Sequence, residues 1–169
     1  MKNRRGAHLL AALTTALLLV SCSGCDQGDG PVAEGRDYQW DKEAGASDAS
    51  AFMNVAIPEG ATQTKGAVQI NPQEDVYLLT FVTSEKTAED IAEDLRPQEP
   101  LKAQKTDFAP QGELFAHLGL PEPQTLKGVR WAGVCPPCVS DHRRKKAQWI
   151  DIYVETLQAD RARVYLQAF

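Results

Sequence analysis

The chain has 169 residues, with 18 Lys and Arg against 23 Asp and Glu, a formal net charge of −5. Nucleic acids bind surfaces with a basic footprint, so an acidic balance of this size excludes them as partners. Neither composition nor spacing shows a cofactor-binding pattern.

The N-terminus opens with Lys2, Arg4 and Arg5, and no acid precedes Cys22. An apolar run follows from Leu9 to Val20, the layout of a secretory signal. It is shorter than the roughly 20 apolar residues a membrane span needs, and Thr14 and Thr15 interrupt it. Leu19-Val20-Ser21-Cys22 resembles the lipobox of bacterial lipoproteins. The resemblance covers only these first residues. It implies cleavage before Cys22 and a diacylglyceryl group on the Cys22 thiol, whose two acyl chains suffice for stable anchoring. The implied protein is tethered to the extracytoplasmic face of the cell membrane. Cys25, preceded by Cys22-Ser23-Gly24, fits the pattern less well. Removing residues 1–21 leaves 148 residues, with 15 basic side chains against 23 acids. Such a chain is mildly repelled by anionic headgroups, so the lipid has to supply the attachment.

Residues 22–50 read as a lipid-attachment site followed by a disordered acidic tether. Seven acids face Arg36 and Lys42 there, and aliphatic residues are nearly absent. Tyr38 and Trp40 are its exceptions, either docked on the domain or isolated in the tether. Residues 51–169 read as a single domain of the α+β class: a small antiparallel sheet ending in a C-terminal β-hairpin, with one or two helices on one face.

Gly66–Ile70 is a weak strand signal, and Asp75–Thr83 is a strong one, apolar on both sides. A helix is expected from Thr87, its cap, with Ala88, Ile91, Ala92 and Leu95 on one face and Pro97 ending it. Glu89 with Glu93, and Asp90 with Asp94, read as its solvated side. A second short helix is expected over Glu113–Leu118, stopped by Gly119. Leu126–Val134 reads as a strand. In Gln148–Leu157 and Arg161–Phe169 apolar residues alternate with polar and aromatic ones, which predicts the hairpin. Asp151 and Glu155 are expected to meet Arg161 and Arg163 across it. Trp149, Tyr153 and Tyr165 share one side of the pair, either covered by other chain or open as an aromatic surface.

Cys135-Pro136-Pro137-Cys138 is the most informative stretch. Export favours a disulfide there, closing a short loop between two strands. Two other readings stand beside it. With Trp131 just upstream, the stretch is similar to the active site of exported thioredoxin-like oxidoreductases, which implies thiol–disulfide chemistry. Only 31 residues follow Cys138, however, too few for the rest of that fold. Cys135, Cys138 and His142 also have metal-ligand spacing, with His117 or Asp141 as a fourth ligand, but a second paired cluster is missing.

The basic run His142, Arg143, Arg144, Lys145 and Lys146 stands out in an acidic chain. It reads as a solvated loop tip, and as the preferred contact for an anionic partner. Past Cys22 only His117 and His142 remain for histidine chemistry, and no nucleophile elbow, zinc-helix motif or phosphate loop occurs. The lipobox, the alanine content and the terminal Arg163–Phe169 strand are similar to small exported lipoproteins of actinobacteria, a resemblance that implies no activity. The expectation is therefore a membrane-tethered interaction domain for a protein or cell-envelope partner, with a thiol–disulfide enzyme and a metal-binding domain as alternatives.

Overall fold

The computed structural model describes residues 38–104, 112–158 and 160–169. The expected signal segment, Cys22, Cys25 and the first part of the tether lie outside them. Seven strands form one antiparallel sheet: β1 (Gln39–Trp40), β2 (Thr62–Ile70), β3 (Val76–Thr83), β4 (Lys102–Ala103), β5 (Arg130–Val134), β6 (Ile150–Gln158) and β7 (Arg161–Ala168). Their order across the sheet is β1-β2-β3-β7-β6-β5-β4. Two helices, α1 (Ala46–Met53) and α2 (Glu85–Asp94), complete the α+β architecture expected from the sequence.

The alternation in the strands sets the two faces. Leu79 and Phe81 of β3, Val164 and Leu166 of β7, and Ile150, Ile152 and Val154 of β6 point one way and are fully buried. Ala49 and Met53 of α1, Ala88 and Ala92 of α2, and Leu95 just after α2 pack on that side. On the other side Leu78, Tyr153 and Tyr165 are buried beneath Phe115, Leu114, Leu118, Leu120 and Leu126. Phe115 meets Tyr165 edge to face, with ring centroids 5.2 Å apart. The middle of the aromatic side is therefore covered, by residues between Leu114 and Leu126. β3 and β7 lie between two apolar layers, which explains why β3 reads as apolar on both faces.

The hairpin pairs Tyr153 with Tyr165 and Glu155 with Arg163. Of the expected ion pairs only Glu155–Arg163 forms, at 4.0 Å. Asp151 faces Gln167 instead, and the Arg161 guanidinium donates to the Thr62 hydroxyl.

Three expectations need correction. The domain begins well before residue 51, inside the stretch read as tether. β1 pairs with the far end of β2, and Trp40 stacks on His117 at 3.8 Å. Helix α1 buries Ala49 and Met53 and half-buries Phe52, but its first five residues are only Ala, Ser and Asp, so its start looks like linker. Helix α2 begins earlier than expected, at Glu85, because Ser84 is the cap: its hydroxyl accepts the Thr87 N–H at 3.1 Å. The helix expected over Glu113–Leu118 is one 3-10 turn, Phe115–Leu118, on the face opposite α1 and α2. Gly119 ends it with φ 68°, as expected.

Gly66 fixes how closely α1 lies on β2. A Cβ there would stand 2.6 Å from the Ala46 nitrogen and 2.9 Å from the Leu78 carbonyl oxygen. Both neighbours are backbone, so neither can swing aside. Gly66→Ala is expected to lower stability by about 1–3 kcal/mol, the usual cost of overpacking. Urea denaturation measures it, and an unchanged midpoint would contradict this packing.

Candidate functional site

Every expected site residue except Cys22 falls in one loop, between Val134 at the end of β5 and Ile150 at the start of β6. Pro136, Asp141, Arg144 and Ala147 turn inward from this loop and are buried. Cys138, His142, Arg143, Lys145 and Lys146 are exposed.

The basic run therefore divides. Arg144 is a buried structural group, with its side chain 2% exposed, and not part of a solvated tip. One Nη donates to Asp141 Oδ2 at 2.6 Å and to the Asp94 carbonyl at 3.1 Å. The other reaches the Asp94 carboxylate and, at 3.4 Å, the Asn54 carbonyl. Asp94 is the last residue of α2, and Asn54 caps the C-terminus of α1 in a left-handed conformation. Helix C-termini leave carbonyls unpaired and carry partial negative charge, so a guanidinium is well suited there. Arg143 adds a second clamp, donating to Asp94 Oδ1 at 2.8 Å and to Asp141 Oδ1 at 3.0 Å. Asp141 also caps the 3-10 turn His142–Arg144.

Arg143 beside Asp141, with Arg144 behind it, holds the Asp141 carboxyl well below the usual carboxylate range. The same two arginines lower Asp94. Burial of Asp141 opposes the effect, but paired guanidiniums outweigh it. Asp94 was expected on the solvated side of α2 and instead takes part in this network. Glu89, expected there too, pairs with Arg130 at 2.9 Å.

Cys135 and Cys138 are joined by a disulfide. The turn they close is also held without it. The Cys138 and Val139 N–H groups donate to the Cys135 carbonyl at 3.0 and 3.3 Å, and the Asp141 N–H to the Pro136 carbonyl at 2.9 Å. A ring of so few residues removes only about 2 kcal/mol of chain entropy from the unfolded state. The turn runs into a short 3-10 segment and not the long helix of thioredoxin-like enzymes. The residues of the metal alternative do not converge, and His142 is exposed. The cysteines bond each other, Asp141 is held by arginines, and His117 stacks on Trp40. Among the described residues no three His, Cys, Asp or Glu side chains converge on one point.

Two further features border the loop. The Asp151 carboxylate accepts both indole N–H groups, from Trp131 at 2.8 Å and Trp149 at 3.0 Å, on the same oxygen. Burial raises its pKa and the two indoles partly offset this. The two rings close over Gly133, where any Cβ would run into Trp149. The sequence placed Asp151 in an ion pair and missed this arrangement, although glycine between tryptophans on adjacent strands is its signal. An open cleft of about 440 Å³ lies between α2 and the β4–β5 edge, lined by Ala92 and Leu101 with Glu89, Glu93, Arg96 and Arg130 around it. Arg130 is tied to Glu85 and Glu89, and the cleft brings no nucleophile and base together.

Arg144→Ala removes the charge that neutralises buried Asp141, and is expected to cost about 3–5 kcal/mol. Arg144→Met, which fills the volume, combined with Asp141→Leu is expected to cost much less. The native pKa of Asp141 lies below its unfolded value. Its contribution is therefore fully present above the ordinary Asp value of about 3.9 and is lost as pH falls below it. Denaturation midpoints measured across the acid range are expected to drop less steeply in the Arg144→Met/Asp141→Leu double variant. Equal acid sensitivity in wild type and double variant would contradict the assignment.

No protein-family model, no curated protein and no solved structure matches the chain, so its function rests on the residues of this loop and on the N-terminal pattern.

Proposed function

We propose that the chain is an extracytoplasmic interaction domain, held at the membrane by a lipid on Cys22, that meets an anionic partner through His142, Lys145 and Lys146. The observation that carries this reading is the division of the basic run. Arg143 and Arg144 are committed to Asp94 and Asp141, while His142, Lys145 and Lys146 remain exposed on a loop fixed from beneath. A cationic spot on a rigid base, in a chain of net charge −5, is a directional contact for negative charge. The partner is a cell-envelope polymer or an acidic protein surface. The lipobox pattern supports the location, and it accounts for membrane attachment of a chain that anionic lipid would otherwise repel. Among the described residues no helix is long and apolar enough to cross a membrane.

Two measurements on the full chain test the reading. Cys22→Ser is expected to move the protein from the detergent phase to the aqueous phase on phase partition; unchanged partition would remove the lipid anchor. Soluble polyphosphate serves as the anionic probe. The wild-type chain is expected to bind it with an affinity that falls as salt rises. Lys145→Glu/Lys146→Glu is expected to weaken that binding by roughly tenfold while the fold is retained. Equal binding by wild type and variant would show that the exposed run is not the contact.

A further inference from the structure

The disulfide turn combines three properties that a purely structural staple does not require. The bond lies at the surface, with Cys138 exposed and Cys135 half-buried. The turn it closes is separately held by backbone hydrogen bonds and by buried Arg144 beneath it. The two sulfurs also differ. Pro136 and Pro137 have no N–H, so the Cys138 N–H is the first backbone donor after Cys135. It is shared between the Cys135 carbonyl, 3.0 Å away, and Cys135 Sγ, 3.3 Å away. A backbone donor lowers the basicity of a thiolate, and Cys135 Sγ has that donor.

We propose that Cys135–Cys138 is a thiol–disulfide exchange site with a fixed polarity, in which Cys138 Sγ is the attacked sulfur and Cys135 the leaving group. The co-reactant is an extracytoplasmic protein dithiol. Its first thiolate attacks Cys138 Sγ, the S–S bond breaks, and Cys135 departs as a thiolate stabilised by the Cys138 N–H. The partner's second thiolate then attacks its own sulfur in the mixed disulfide and releases Cys138 as a thiolate. The partner is oxidised to a disulfide, and this chain takes up two electrons and, once both thiolates protonate, two protons. Exposure and the leaving-group thiol's stability both favour this direction of attack. The exchange is stoichiometric, one bond per chain. It goes beyond the proposed anionic contact, since the Lys145→Glu/Lys146→Glu variant tests that contact without involving the disulfide.

The test uses the full oxidised chain and reduced glutathione as the attacking thiol. After acid quenching, peptide mapping reports Cys22, Cys25, Cys135 and Cys138 separately. Glutathione is expected on Cys138 and not on Cys135, with the native chain reacting within about tenfold of the rate of the urea-unfolded chain, as accessible disulfides do. The fully reduced chain, made with dithiothreitol, is expected to keep its circular dichroism spectrum and to unfold cooperatively. Glutathione on Cys135 would overturn the polarity. Reduction that proceeds only as fast as global unfolding, or a reduced chain that has lost its fold, would overturn the exchange site and leave a structural staple. A Cys135→Ser/Cys138→Ser double variant checks the second point without any reductant: it is expected to fold, and its failure to fold would count against the site.

Discussion

The buried guanidinium of Arg144 is the interaction on which the site depends. It joins three parts of the chain that are far apart in sequence: the end of α1, the end of α2 and the β5–β6 loop. Burying an arginine is costly unless its charge is balanced and its N–H groups are used. Asp141 balances it from within the loop and Asp94 from α2. Both helices end where this side chain can donate to their last carbonyls, so helix termination and loop anchoring are one arrangement. The two helices lie on the same face of the sheet because both pack apolar side chains into the core there, and the arginine meets their C-terminal ends.

Arg144 holds the loop from within and Arg143 clamps it from its outer side. Lys145, Lys146 and His142 are left to solvent and available to a partner. The disulfide encloses a turn already closed by hydrogen bonds, so its opening leaves the inner half of the loop in place. A buried fixed layer below and an exposed charged and redox-capable layer above is the organisation the proposed interaction and exchange both use. It also separates this loop from the Trp131–Asp151–Trp149 group beside it, which fills space around Gly133 and satisfies its own polar atoms.

Much of the fold was legible because β6 and β7 alternate and β3 is a continuous β-branched and aromatic run. β3, β6 and β7 could be read from their residues, and of the cross-strand pairs expected between β6 and β7 only Glu155 with Arg163 forms. What escaped was structure made by context. Helix α1 is short and begins with small and polar residues, and Gly66 lets it lie close against β2, a contact that no local pattern encodes. β1 and β4 have two residues each and exist only by pairing with β2 and β5. In the loop, the charge run concealed its own division. Asp141 three residues before Arg144 is a local signal for an ion pair and for a turn cap, but only the long-range partner Asp94 shows that Arg144 is inside. Pairing of Cys135 with Cys138 was readable from spacing and export. Which of the two sulfurs is exposed was not.

Arg144 and its carboxylates, more than the disulfide, hold the β5–β6 loop in place. Native-state hydrogen exchange at the Asp141 and Ala147 amides tests it most directly, because these donate to Pro136 and Arg144 carbonyls on the two halves of the loop. With the disulfide reduced, both amides are predicted to keep nearly the protection they have in the oxidised chain. Loss of protection at both sites on reduction would contradict the account and make the disulfide the element that holds the loop.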